Sequence, residues 1–269
     1  DNAELPSSFW TQRAKLFASD GAASNRFGWS VSVSFNTAVI GASWDNAKGD
    51  ASGSAYVFTS DDDVAPSSSW TQRAKLVAVD GAAGDEFGRN VSISNNTVIA
   101  GAWGNNAKGH KSGAAYVFTP DVAGNATSSW TQRAKLVASD GAVNDMFGTS
   151  VSISGDTAVV GADGDDDTGS FSGSAFVFTR DAAGNESSSW SQRAKLGAAD
   201  GAARAYFGNS VAISRDTIVA GAYRDNGVKG AAYIFTRDVP GAASSAWTQR
   251  AKLAANDGAA RDSLGSGVA

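Results

Sequence analysis

The 269-residue sequence has no cysteine, one histidine, one methionine and only four prolines. Without cysteine there is no disulfide, no thiolate metal site and no cysteine nucleophile. The single histidine, His110, lies in a loop beside Lys111, and no G-x-S-x-G elbow accompanies it, so a Ser-His-Asp triad has no frame. No P-loop or dinucleotide fingerprint occurs. An excess of positive charge is missing too. With 22 Lys+Arg against 27 Asp+Glu the net charge is −5, which argues against the nucleic-acid backbone as partner. No apolar run approaches the roughly 20 residues of a membrane span. There is neither a signal-peptide pattern at Asp1 nor an initiator Met, so the chain reads as a processed or truncated piece.

What is present is repetition on a globular composition, 42% apolar and 18% charged. WTQRAKL stands at Trp10–Leu16, Trp70–Leu76, Trp130–Leu136 and Trp247–Leu253, with WSQRAKL at Trp190–Leu196. Between these come an FG pair (Phe27, Phe87, Phe147 and Phe207, with Leu264 in the fifth copy), a Gly-Ala pair (Gly41, Gly101, Gly161, Gly221) and an aromatic run ending near Phe58, Phe118, Phe178 and Phe235. Each unit of about 60 residues thus holds four strand-like runs divided by Gly and Asp-Gly turn signals. The first run, as in SVSVS at Ser30–Ser34, alternates apolar and serine positions. The second is apolar on both faces, as in a central buried strand. In WTQRAKL, strict alternation predicts Trp, Gln, Ala and Leu on a buried face, with Thr, Arg and Lys on a solvated basic face that guards the edge. No window has helical periodicity. The expectation is an all-β chain, a β-propeller of four-stranded antiparallel blades at about 27–76, 87–136, 147–196 and 207–253. A partial outer strand at 10–16 and a partial inner strand at 264–269 flank them, all within one domain, 1–269, or a fragment of one. A parent of about seven blades closes more naturally than five.

The order FG-x-SV, V-x-G-A and G-x-A-Y-V-F resembles the FG-GAP repeat of integrin α-subunit heads and related surface proteins. The resemblance covers nearly the whole chain. It implies a propeller that works at the cell surface. Two features depart from it. Ser43, Trp103, Asp163 and Tyr223 replace the Pro of GAP. The loop that carries Ca²⁺ in integrin-like units is reduced to pairs such as Phe35-Asn36 and Asn95-Asn96. Those metal sites are therefore not carried over.

The loops after Gly-Ala (43–52, 103–112, 163–172 and 223–229) vary most on a frame that otherwise repeats, which is where binding residues are expected. Trp44, Asp45, Asn46, Trp103, Asn105, Asn106, Tyr223 and Arg224 suit a glycan or protein ligand. Asp163, Asp165 and Asp167 have D-x-D-x-D spacing and predict a Ca²⁺ site, although Thr168 and Ser174 stand where an EF-hand loop wants Gly and Glu. Asn125 and Asn185 are glycosylation sequons at equivalent loop positions, and Asn90 and Asn95 are less suited ones. The repeated Trp and FG residues read as packing, and the repeated Arg/Lys pairs as a solvated face or an acidic-polysaccharide stripe. The functional expectation is a non-catalytic extracellular or cell-surface binding or adhesion module. A structural repeat component contacting neighbouring subunits comes second, and a propeller glycosidase or lyase third.

Overall fold

In the computed structural model, residues 12–60, 69–122 and 128–269 are described. Their strands form four blades. The first is β1 (Phe27–Ser34), β2 (Thr37–Ala42), β3 (Ser54–Ser60) and β4 (Trp70–Leu76). The second is β5 (Val91–Ser94), β6 (Thr97–Ala102), β7 (Ala114–Pro120) and β8 (Trp130–Leu136). The third is β9 (Ser150–Ser154), β10 (Thr157–Ala162), β11 (Ser174–Arg180) and β12 (Trp190–Leu196). The fourth is β13 (Phe207–Ser214), β14 (Thr217–Ala222), β15 (Ala231–Arg237) and β16 (Trp247–Leu253). Every sheet is an antiparallel meander in chain order. Among the described residues the one segment with helix-like hydrogen bonding is Asp225–Val228, in the shortened loop of the fourth blade, and its Asn226 and Gly227 have left-handed backbone.

The cores lie between blades. Val39, Val57 and Leu76 of the first blade pack with Val91, Ile93, Tyr116 and Phe118 of the second, and the same arrangement recurs at the later junctions. Each FG phenylalanine meets two rings of its own third strand edge-on, as Phe87 does Tyr116 and Phe118 at 5.6 and 5.7 Å. The serines of SVSVS have a defined task. Ser32, Ser92 and Ser152 each accept a hydrogen bond from the backbone N–H of the next inner strand (Ile93, Ile153, Ile213) at 3.1–3.2 Å. They satisfy an inner edge that has no strand beside it. The paired glycines permit the close approach. A Cβ on Gly101 would stand 2.0 Å from the carbonyl oxygen of Gly148 in the next blade.

The fourth strand corrects the expected alternation. Val57 pairs with Ala74 but Phe58 pairs with Gln72, so Arg73 is an extra, bulged residue. The same shift recurs in the other three blades. The bulge turns Trp70 to the side of Tyr56 and Phe58, while Leu76 faces the next blade. Trp and Leu therefore serve different interfaces and do not share a face. Trp247 is buried, and Trp70, Trp130 and Trp190 are partly so; Trp10 lies outside the described residues. Residues 12–16 are not in a strand. Nor are 264–269, although Val268 N–H reaches Ser210 Oγ at 3.0 Å, in the place that Val151 N–H takes on Asn90 Oδ1.

Candidate functional site

Strand directions alternate, so the ends of β2, β6, β10 and β14 and the starts of the FG strands share one rim. The FG glycines make this rim irregular. Between Phe27↔Ala42 and Val31↔Ile40 the register slips, with Gly28 at φ 89°, and the same slip occurs at Phe207/Val211. A bulge re-aims a side chain, and the residue after FG is the one re-aimed: Trp29, Arg89, Thr149 or Asn209. Beside it stand the residue before FG (Arg26, Glu86, Met146, Tyr206) and the first residues after Gly-Ala.

These positions assemble an arc of aromatic rings and guanidinium groups. The Arg26 guanidinium lies 3.2 Å from the Trp44 ring centroid and 4.9 Å from that of Trp29. Arg89 spans the first two blades, 5.7 Å from Trp29 and 5.3 Å from Trp103, and is anchored to Glu86 at 2.8 Å. Lys111 stands 4.9 Å from the Trp103 ring. In the fourth blade Arg224 lies over Tyr206 and Tyr223 at 5.2 and 5.4 Å, and Tyr206 in turn stacks on Phe171. Asp163 lies within the electrostatic reach of Arg89 and of Tyr223. Burial pushes its carboxyl up to about 6 despite a Thr149 hydrogen bond and the Arg89 charge. Trp103 Nε1, Asp163 Oδ1 and Asn209 Oδ1 are buried without a hydrogen-bond partner among the described residues.

The arc contains four of the expected ligand residues, Trp44, Trp103, Tyr223 and Arg224. The other four lie outside it: Asn46 and Asn106 accept the loop amides of Ala51 and Lys111 at 2.8 Å. Asp45 and Asn105 are buried, 3% and 5% exposed, and hold their loops. Asp45 Oδ1 accepts from Ser54 Oγ at 2.7 Å and from Ala47 N–H at 3.0 Å. Arg26, Trp29, Arg89 and Tyr206 join the arc without having been expected there. Their only signal in the sequence is that the columns flanking FG do not repeat.

The supposed basic face is also corrected. Each lysine of the outer strand bends to the rim and holds carboxylates. Lys75 Nζ is 2.5 Å from Asp20 and 2.9 Å from Asp45, and Lys252 is 2.6 Å from Asp200 and 2.7 Å from Asp225. Burial works against the Lys75 charge, but hydrogen bonds to Asp20 and Asp45 outweigh it and hold the ammonium above its ordinary pKa. Tyr56, Tyr116 and Tyr233 donate to the same Asp-Gly aspartates at 2.9–3.0 Å. These carboxylates are structural, not ligand-seeking.

The structure gives Asp163 partners other than those of Asp165 and Asp167. Lys195 contacts Asp140 at 2.7 Å, Asp165 at 2.9 Å and Asp167 as well, while Asp163 turns to Thr149 and Arg89. Among the described residues no cluster of three His, Asp or Glu is arranged for a metal. His110 is exposed. On the opposite rim, Arg180 is committed to Asp156, Thr97 and the Asn185 carbonyl. Asn185 is exposed there, Asn90 is tied to the next blade, and Asn125 lies outside the described residues.

The repeat frame around this arc is that of a known family. A model of the FG-GAP repeat matches residues 10–58, 70–118, 130–178 and 190–235. The chain belongs to the FG-GAP repeat family. A search of curated protein sequences finds no significant match. Among solved structures, Sqt1 from Chaetomium thermophilum aligns at 12% identity with a TM-score of 0.46, over 79% of this chain and 44% of that one. A GH43 glycoside hydrolase, engineered to show endo-xylanase and exo-arabinofuranosidase activity, aligns at 12% identity with a TM-score of 0.40, over 84% of this chain and 40% of that one. The FG-GAP chain thus spans less than half of either protein.

Proposed function

We propose that this FG-GAP propeller is a non-catalytic binding module of an extracellular or cell-surface protein, with its ligand seated on the aromatic–arginine arc. One observation carries the reading. The residues that repeat build blades, whereas the bulged and post-Gly-Ala positions that do not repeat converge on one rim. Rings and guanidinium groups in such a cluster are the side chains that most often dominate binding energy. The carboxylates available for acid–base work are few. Glu86 is committed to Arg89 at 2.8 Å.

The test is a glycan and protein-ligand array read with the intact chain, Trp44→Ala and Trp103→Ala. A bound ligand should be lost or weakened by roughly 1–3 kcal/mol in each variant. Ligands bound equally well by both variants would place binding elsewhere and remove the reading.

A further inference from the structure

Nine basic side chains outside the arc hold an internal carboxylate. The outer-strand lysines 75, 135, 195 and 252 hold aspartates, as do Arg133, Arg193, Arg250, Arg180 and Arg237. Arg26, Lys111 and Arg224 have another setting. Each lies against an aromatic ring of the arc, and none has a carboxylate partner among the described residues. A ring beneath a guanidinium fixes its plane and leaves its N–H edge free to take two oxygens of an anion. Other basic side chains also lack a carboxylate, as Lys108 does on the Ser139 carbonyl, but these three stand together on the rings of one mouth.

Resting on the binding reading above, we propose that the arc recognises an acidic carbohydrate. Arg26, Lys111 and Arg224 pair with its carboxylate or sulfate groups, and Trp29 and Trp103 contact its sugar faces. Flat indole surfaces beside charge-bearing forks suit a ring that carries both an apolar face and an anionic substituent. The overall negative charge repels polyanions from the remaining surface, so binding belongs to this mouth alone.

The experiment measures binding of polygalacturonate, dextran sulfate, uncharged dextran and poly-glutamate to the intact chain at fixed salt. Arg26→Gln and Arg224→Gln keep most of the bulk and remove the charge, and thermal melts verify their folding. Arg215→Gln, at the turn on the opposite rim, is the control. At least one acidic polysaccharide should bind and dextran should not, with affinity falling about ten- to hundredfold in the rim variants and unchanged in the control. Polygalacturonate alone identifies carboxylate recognition, and dextran sulfate alone identifies sulfate. Equal binding of dextran, or of poly-glutamate, overturns the acidic-carbohydrate assignment. So does failure of every probe to bind. If in either case an array ligand is still lost in Trp103→Ala, the rim reading stands without this inference. Polyanion binding that no rim variant weakens overturns both.

Discussion

The Asn105 amide donates to the Asp85 carboxylate across 2.8 Å, the contact that Asn25 makes to Asp45 at 2.7 Å one blade earlier with the residue types exchanged. Either order joins one donor to one acceptor and ties the Asp-Gly loop to the post-Gly-Ala loop. The third blade breaks the rule by placing Asp145 opposite Asp165.

Asp145→Asn should therefore stabilise the protein. Burial raises the Asp145 carboxyl above its ordinary value, and the Asp165 charge adds to the rise. The folded state keeps a proton that the unfolded chain has already lost, so stability declines as pH rises through the ordinary carboxylate range. The amide removes that loss and supplies a donor to Asp165. Denaturant unfolding should show a gain of about 1 kcal/mol at pH 7.5, shrinking towards pH 4. A variant less stable at pH 7.5 would mean that the two carboxyl groups do not face each other.

Lys75→Met should cost roughly 1–3 kcal/mol, because it leaves the buried Asp45 carboxylate without its cation. The pKa of Lys75 is raised in the fold, so its contribution is complete below about pH 10.4 and fades only as pH climbs beyond that. Lys48→Met in the exposed loop is the comparison and should be near neutral. Equal losses in both would show that Lys75 is as solvated as strict alternation implies.

How much of this was legible beforehand follows from what repeats. Four copies of FG, Gly-Ala and the aromatic run specify strands, turns and their order, and the blades appear at the expected residues. The bulge at Arg73 was not legible, since a one-residue shift leaves no mark in a seven-residue run. Missing it put Trp70 and Leu76 on one face and sent Lys75 to solvent. Asp45 and Asn105 looked like ligand residues because they lie in variable loops. The complementary change at Asn25 and Asp85, twenty residues earlier, is the signal that marks them as structural. Trp29 and Arg89 were hidden for the opposite reason, lying next to an invariant pair and seeming to belong to the frame.

Gly101→Ala should destabilise by roughly 3 kcal/mol or more. The new methyl group would meet the Gly148 carbonyl oxygen at 2.0 Å, and both belong to main chain that cannot swing aside. Gly197→Ala has open space around it and should change little. Similar melting temperatures for the two variants would refute the tight junction between blades.

Asp163 makes the sharpest pH prediction. Its carboxyl is pushed from an ordinary 3.8 to about 6, chiefly by burial. Between those values the native protein holds a proton that the unfolded chain releases, so stability must fall as pH rises from about 4 to 6 and stay lower above. A shift of roughly two units corresponds to about 3 kcal/mol across that window. Asp163→Asn carries no ionisable group and removes this slope. It should match the parent protein near pH 4 and exceed it by up to that amount at pH 8, as read from denaturant midpoints at the two pH values. The gain should be smaller where Arg89 and Thr149 already stabilise the anion. If the Asn variant keeps the full parental slope, Asp163 titrates as an ordinary solvated carboxylate and burial does not hold its proton.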